Sequence, residues 1–425
     1  MDAGTRPRAA IVVTGSELLT GAVQDANGPW LARELGELGF GVTQLVMVGD
    51  RAEDLAEALA HVGAAAELVV TSGGLGPTAD DLTTEVVAGY VGAELFCDEE
   101  LRVRIDARIA TWAKRSGFAG AALDEATRKQ AMVPRGAVTL EPYGTAPGVV
   151  ARKPDGPLVV VLPGPPRELQ GMWPQVLAAP PFAELLAGVP HAEPRHLRFF
   201  SLPESEIAAT LRDLGIPDGV EVTTCQRRSE LEVDLHPLPG REVAAKELAS
   251  AIVERHRAQL LSEDGRTTDE LLAAVLAERG LTVATGESCT GGLLAGRLID
   301  RAGSSAYVVG GVVAYSNTAK TAMLDVPAEM IAEHGAVSPE VAKALADGAR
   351  AEFGAAIGVG ITGVAGPGGG TEAKPVGYVC FCVTTADGQV IARDPVLAGG
   401  RSTIRERSTD LAMHLLLRAA TRYSS

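Results

Sequence analysis

A chain of 425 residues, 46% hydrophobic and 22% charged, has room for about three domains and the balance of an ordinary folded protein. That excludes a single small module, a disordered chain and a fibrous one. The formal net charge of −16 repels phosphate backbones and anionic lipids, so neither nucleic acid nor a membrane is an expected partner.

AAIVVTG (9–15) reads as a strand, followed by a helix over DANGPWLARELGELG (25–39) with Asp25 or Asn27 as cap and Leu31, Leu35 and Leu38 on one face. VTQLVMVG (42–49), a helix around RAEDLAEALAHVG, and ELVVTSGG (67–74) continue the alternation, and a Gly-rich turn opens a further helix in GLGPTADDLTTEVVAGYVG. The strand PLVVVLPG (157–164) ends in the turn LPGPPREL. Alternation of this kind predicts an α/β fold, a doubly wound and mostly parallel sheet over 1–173. From 174 to 262 helix and strand follow an α+β order without a phosphate turn, which reads as a small connecting domain. At 263–425 EDGRTTDELLAAVLAERG starts a fresh helix with an acidic cap, and LTVATGES begins a second α/β domain. The five cysteines have no C-x-x-C spacing and read as reduced thiols. No apolar run reaches about 18 residues and Glu17 interrupts the opening segment, so a cytoplasmic location is expected.

Chemistry is expected at the Gly-rich turns. In TSGGLGPTADDLT (71–83) the amides around Gly73, Gly74 and Gly76 converge where an anion could sit. Asp80 and Asp81 lie in the expected first helical turn and Glu17 follows another strand end, at the carboxyl edge where ligands bind. Such a carboxylate cluster would suit a divalent cation beside a diphosphate. In TGESCTGGLLAGRLI (285–299) the residue two after Ser288 is Thr290, so the turn is not a G-x-S-x-G elbow. Ser288, Thr290 and Gly291 therefore read as a phosphate-binding turn. RAGSSAYVVGGVVAYSNTAK (301–320) offers Ser305, Tyr315 and Lys320 in one loop–strand–loop unit. A serine becomes nucleophilic beside a base, and a lysine serves as that base where burial lowers its pKa. The formal G-x-G-x-x-G of Gly358, Gly360 and Gly363 falls inside a strand and is discounted. Thr362 at that strand's end has a hydroxyl for a carbonyl oxygen or a phosphate. Arg401 and Arg405, in LAGGRSTIRER, read as surface charge or as guanidinium groups for a substrate phosphate.

TGSELLTG, SGGLGPTADDLT, GTAPG (144–148) and LPGPPREL resemble, over about 1–172, the molybdopterin-binding fold found in molybdenum-cofactor enzymes and in the N-terminal domain of the CinA family. ESCTGG, GSS, Y-S-N-x-x-K, GAVS (335–338), TG-x-AGP-x-GG and KPVG resemble the CinA C-terminal domain over about 265–421. The first resemblance implies a metal-dependent ADP-ribose pyrophosphatase using Glu17, Asp80 and Asp81. The second implies a nicotinamide-nucleotide amidohydrolase that needs no cofactor. There Ser305 would be the nucleophile, Lys320 its base, Tyr315 an assisting hydroxyl, Thr362 a carbonyl-side donor, and Ser288 and Arg401 substrate-binding groups. Pyridine-nucleotide and ADP-ribose substrates and a homodimer are the implied partners. A non-enzymatic competence or DNA-damage factor and a molybdopterin-handling enzyme are the alternatives.

Overall fold

The computed structural model describes residues 6–116, 121–189 and 192–424. The chain forms two compact units, Met1–Glu193 with Pro237–Glu242, and Pro194–His236 with Val243–Ser425. In the first, β1 (Arg8–Thr14), β2 (Gly41–Val48) and β3 (Leu68–Ser72) belong to a six-stranded sheet, while β4 (Leu95–Cys97) and β5 (Met132–Pro134) form a separate antiparallel pair. β6 (Val138–Leu140), β7 (Gly148–Arg152) and β8 (Leu158–Leu162) complete the sheet in the order β2-β1-β3-β8-β7-β6. Its first four strands are parallel, and β7 and β6 run antiparallel at one edge.

The period of two along β1 divides two cores. Ala10 and Val12 pack with Leu59 and Val87, whereas Ala9, Ile11 and Val13 pack with Leu31, Leu35 and Trp173. Both faces are thus covered, as the apolar strand runs require. The helix Asn27–Glu37 is capped by Asp25, whose carboxylate accepts from the amides of Asn27 at 2.9 Å and Gly28 at 3.1 Å. The helix Pro180–Ala187 puts Phe182 into the second of these cores. The segment through Ala187 therefore packs on the first unit, although the change in the order of helix and strand suggested a boundary at 173.

In the second unit, β9 (Arg195–Phe200), β10 (Val220–Arg227), β11 (Glu230–Pro237) and β12 (Leu260–Ser262) form a sheet in the order β10-β11-β9-β12. The helices Glu204–Leu214 and Glu242–Arg255 contribute Ile207 and Ile252 to a core with Phe199, Leu231 and Val233. A five-stranded sheet follows, β13 (Val283–Glu287), β14 (Val308–Val313), β15 (Ile357–Gly363), β16 (Val379–Thr385) and β17 (Val390–Arg393), in the order β14-β13-β15-β16-β17. β14, β13 and β15 are mutually parallel. The helix Thr268–Arg279 starts at a capping box of Thr267 and Glu270 rather than at an acidic cap.

The glycines of β15 have a packing cause. A Cβ on Gly358 would meet the Ala346 carbonyl oxygen at 2.1 Å, and one on Gly360 the Ala342 oxygen at 2.0 Å. Both residues exist so that the helix Pro339–Glu352 can lie against the strand. The C-terminal helix, Arg401–Arg422, buries Ile404, Leu416 and Ala420 against β15 and β16 residues. Its His414 ring stacks on Phe200 of β9 at 3.8 Å with an interplanar angle of 2°. No helix among the described residues is long and apolar enough to cross a membrane.

Candidate active site

The parallel strands β14, β13 and β15 end at Val313, Glu287 and Gly363, so Tyr315, Ser288 and Thr362 come to one edge of the sheet. Lys320 enters from the helix Asn317–Leu324, whose first turn is capped by Ser316 accepting from the Ala319 amide at 3.0 Å. Its side chain is buried, with 1% exposure. Nζ lies 3.1 Å from Ser288 Oγ, 2.9 Å from the Ala314 carbonyl oxygen and 3.4 Å from that of Tyr315. No carboxylate pairs with it among the described residues, and burial lowers its pKa from the ordinary lysine value. In the charged form its three N–H groups meet these three oxygens; once neutral, the amine keeps two N–H groups for the carbonyls and turns a lone pair to the Ser288 hydroxyl proton. The adjacent Cys289 thiol is pushed up to about 12 by burial and stays protonated at neutral pH.

The expected pairing of Ser305 with Lys320 is not formed. Ser305 sits exposed in the single turn Ser304–Ala306, before β14, whereas Tyr315 and Lys320 follow that strand. Six strand residues at about 3.3 Å each separate the two sheet edges by roughly 20 Å. Ser288, at the carboxyl end of the neighbouring parallel strand, is the serine that meets the lysine.

The turn after Ser288 also departs from the expected phosphate cradle. Glu287 is fully buried and turns its carboxyl group onto the turn itself: Oε2 accepts from the amides of Gly292 at 3.0 Å and Leu294 at 3.1 Å, and Oε1 from Ala295 at 2.8 Å. The donors that would have met an anion are satisfied from within. The Gly291 amide donates to the Ser288 carbonyl across the turn, and the buried Thr290 hydroxyl has no partner among the described residues. Arg405 reaches the same turn from the C-terminal helix, donating to the carbonyls of Cys289 at 3.0 Å and Thr290 at 2.8 Å. Sequence reasoning missed the roles of Glu287 and Arg405. The available signal for Glu287 was an acidic residue at a strand end, four residues before a Gly-Gly pair that opens a helix.

Arg401, four residues earlier, donates to the Gly366 carbonyl at 2.8 Å and to the Tyr315 hydroxyl at 3.3 Å. Tyr315 is 63% exposed, and its hydroxyl faces this arginine while its carbonyl faces Lys320. The Thr362 hydroxyl donates to the Ala336 carbonyl at 2.7 Å, so its proton anchors a neighbouring loop rather than a free acceptor. A cleft of about 810 Å³ in this unit, lined by Arg228, Gly292, Arg297, Glu406, Arg407 and Asp410, holds neither Ser288 nor Lys320. Reactive geometry, not cleft size, locates the candidate site.

In the first unit the expected acids are not gathered. Glu17 lines a cavity of about 320 Å³ with Thr14, Asp25, Asn27 and Ser72. Asp81 lines a second, of about 220 Å³, with Gly74, Gly76, Thr145 and Glu168. Asp80 and Asp81 precede the helix Thr83–Val91 instead of opening it, and both accept from the Thr78 hydroxyl, with Asp81 also taking the Thr78 amide at 2.9 Å. That hydroxyl holds the Asp80 carboxyl below the usual range, while burial raises Glu168. No group of three metal-ligating side chains exists among the described residues. Glu17, Asp80 and Asp81 do not fit a metal centre as arranged.

Residues 10–184 match the family described as a probable molybdopterin binding domain and residues 266–420 the CinA C-terminal domain. A CinA-like protein from Mycobacterium sp. (strain MCS) is 53% identical over 97% of this chain and 98% of its own length. One from Mycobacterium tuberculosis (strain ATCC 25177 / H37Ra) is 50% identical over 97% of each. The crystal structure of competence/damage inducible protein CihA from Agrobacterium tumefaciens is 40% identical over 36% of this chain and 96% of that one, with a TM-score of 0.35. The chain is a member of the CinA family, an α/β protein with a molybdopterin-binding-like N-terminal part and a CinA C-terminal domain.

Proposed function

We propose that this chain hydrolyses the carboxamide of nicotinamide mononucleotide to the acid and ammonia, in the cytoplasm, with Ser288 as nucleophile and Lys320 as its base. The observation that carries the reading is the 3.1 Å contact between Ser288 Oγ and the amine of a buried lysine that has no carboxylate partner among the described residues. Burial lowers the pKa of that amine, and in its neutral form it takes the hydroxyl proton as Oγ attacks the carboxamide carbon. The proton then passes from Lys320 to the amide nitrogen, which leaves as ammonia, and an acyl group stays on Ser288. Water, deprotonated by the same amine, releases the acid and restores the serine. The choice of substrate rests on the resemblance of the C-terminal motifs to that family activity. The Tyr315–Arg401 pair at the exposed rim supports the reading, since a hydroxyl and a guanidinium there can bond the polar remainder of a nucleotide.

Ammonia release from nicotinamide mononucleotide by the purified chain is the test. Ser288→Ala and Lys320→Ala should each lose roughly 10³-fold or more in kcat, and the double variant should be little worse than either, since the two act as a unit. Ser305→Ala should keep most of the activity. The reverse pattern, with Ser305→Ala inactive and Ser288→Ala active, would return the nucleophile to Ser305, and no ammonia from the unaltered protein would remove the reading.

A further inference from the structure

We infer that Arg405 is a positioning residue for Ser288: its guanidinium grips the Ser288 turn by two consecutive carbonyls and acts through that turn, not on bound substrate. The inference rests on the reading of Ser288 as nucleophile. Nε meets the Cys289 oxygen at 3.0 Å and Nη2 the Thr290 oxygen at 2.8 Å. Two N–H groups on one rigid fork are thereby matched to two successive peptide planes. A trans peptide is flat, so fixing the Cys289 carbonyl toward Arg405 fixes the Thr290 N–H in the opposite direction.

The other end of the turn is held by the opposite charge type. Glu287 takes the amides of Gly292, Leu294 and Ala295, while the Ser288 amide is tied to the Ile361 carbonyl of β15 at 2.9 Å. Ser288 therefore sits in a loop whose carbonyls face a cation, whose later amides face an acid, and whose start is stitched to the sheet. Gly291 follows from this arrangement: its φ is +61°, and a Cβ there would lie 3.4 Å from Arg405 Nη2. The clamp is mounted on a firm support, since neighbouring Ile404 and Ser408 are fully buried. Arg401, one turn earlier on the same helix, points its guanidinium to Gly366 and Tyr315 instead. The two arginines thus divide the work, one at the rim and one beneath the nucleophile.

A lysine at 405 carries the charge without the fork and reaches one carbonyl at most. The turn should then wander, and the alignment of Ser288 Oγ with Lys320 Nζ should suffer while substrate affinity does not. The experiment follows two readouts in the full chain and in Arg405→Lys and Arg405→Ala. One is ammonia release with kcat and KM separated. The other is sulfonylation of Ser288 by phenylmethylsulfonyl fluoride, read as a mass adduct on its peptide. In that reaction an O–S bond forms, fluoride leaves and Lys320 takes the proton, so it samples the alignment without the natural substrate.

Arg405→Lys should slow both by about 10-fold and Arg405→Ala by about 100-fold, with KM within about 2-fold, the scale expected when reacting groups shift by an ångström or less. Added guanidinium ion should restore part of the Arg405→Ala rate and none of the Ser288→Ala rate. Unchanged rates in Arg405→Lys would overturn the inference. So would a KM rise for the nucleotide, absent for the dephosphorylated riboside, at unchanged kcat, because that places the guanidinium on a substrate phosphate. If Arg405→Ala does not fold, Arg405→Lys decides. A protein whose Ser288 is sulfonylated but which releases no ammonia would fail the amidohydrolase reading, and the sulfonylation rates would still judge Arg405.

Discussion

Lys320 has to be neutral to act as a base, and its setting favours that form in one physical way: burial, with no carboxylate paired to it among the described residues, lowers its pKa. The sign for activity follows directly. As pH falls through the folded-state pKa, Nζ gains a proton, its lone pair is lost and kcat declines; raising pH restores it. Arginine keeps its proton throughout the accessible range, so Lys320→Arg should remain inactive at every pH, with a loss of about 10²–10⁴-fold if general-base action is what is removed. Ammonia release measured across pH, with kcat separated from KM, checks both statements; substantial activity in Lys320→Arg would mean that only a positive charge is needed. Much of this site was legible in the sequence, since Ser288, Tyr315, Lys320 and Arg401 were all singled out and meet at one edge. The pairing was not legible. Nearness along the chain favoured Ser305, but β14 carries the chain across the sheet between Ser305 and Tyr315, and parallel pairing brings in Ser288 from 32 residues away.

At the scale of elements, β15 and the helix Pro339–Glu352 show how backbone approach is written as glycine. A methyl on Gly360 would lie 2.0 Å from the Ala342 oxygen, 2.6 Å from the Ala346 nitrogen and 3.0 Å from Leu345 Cβ. Helix backbone cannot yield as a flexible side chain does, so Gly360→Ala should force the helix off the sheet and destabilise the second unit by about 3 kcal/mol or more. Gly368, where a Cβ meets nothing within 4 Å, is the matched control, and Gly368→Ala should stay within about 0.5 kcal/mol. Urea unfolding followed by circular dichroism measures both; equal stability of the two variants would show that the helix has room to move. Strand and helix alternation was readable because period-two and helical patterns survive in the sequence. Where helices begin at Gly-rich turns was less readable. The structure starts one at Thr83, beyond Asp81, and places Glu287 on amides that carry no side-chain signature.

Across the molecule, the α+β stretches 194–236 and 243–262 belong to one compact unit with the C-terminal sheet. Two acids held by Arg297 show how polar contacts join them: Arg297 binds Asp269 at 2.8 and 2.7 Å and Asp410 at 2.6 Å, and from the α+β segment Ser229 donates to Asp410 at 3.0 Å while Arg228 lies 4.0 Å from Asp269. The stack of His414 on Phe200 is a second join, and one that pH can loosen. The His414 Nδ1 is buried with no hydrogen-bond partner among the described residues, and burial, with Arg418 adding to it, lowers the ring's pKa to about 4. The unfolded ring titrates near 6.5. Between those values the unfolded chain binds a proton that the folded one refuses, so stability is full above about pH 6.5 and declines as pH falls toward about 4, by roughly 3 kcal/mol for this group. His414→Phe keeps a flat ring for Phe200 and removes the titration. All three tryptophans, Trp30, Trp112 and Trp173, lie in the first unit, so their fluorescence follows that unit and circular dichroism is needed for the second. Urea unfolding at pH 7.5 and pH 4.5 should show a larger acid loss in the unaltered chain than in His414→Phe, while the tryptophan-detected transition shifts equally in both proteins. Equal acid losses by circular dichroism would mean that the stacked ring is free to take up its proton in the folded state.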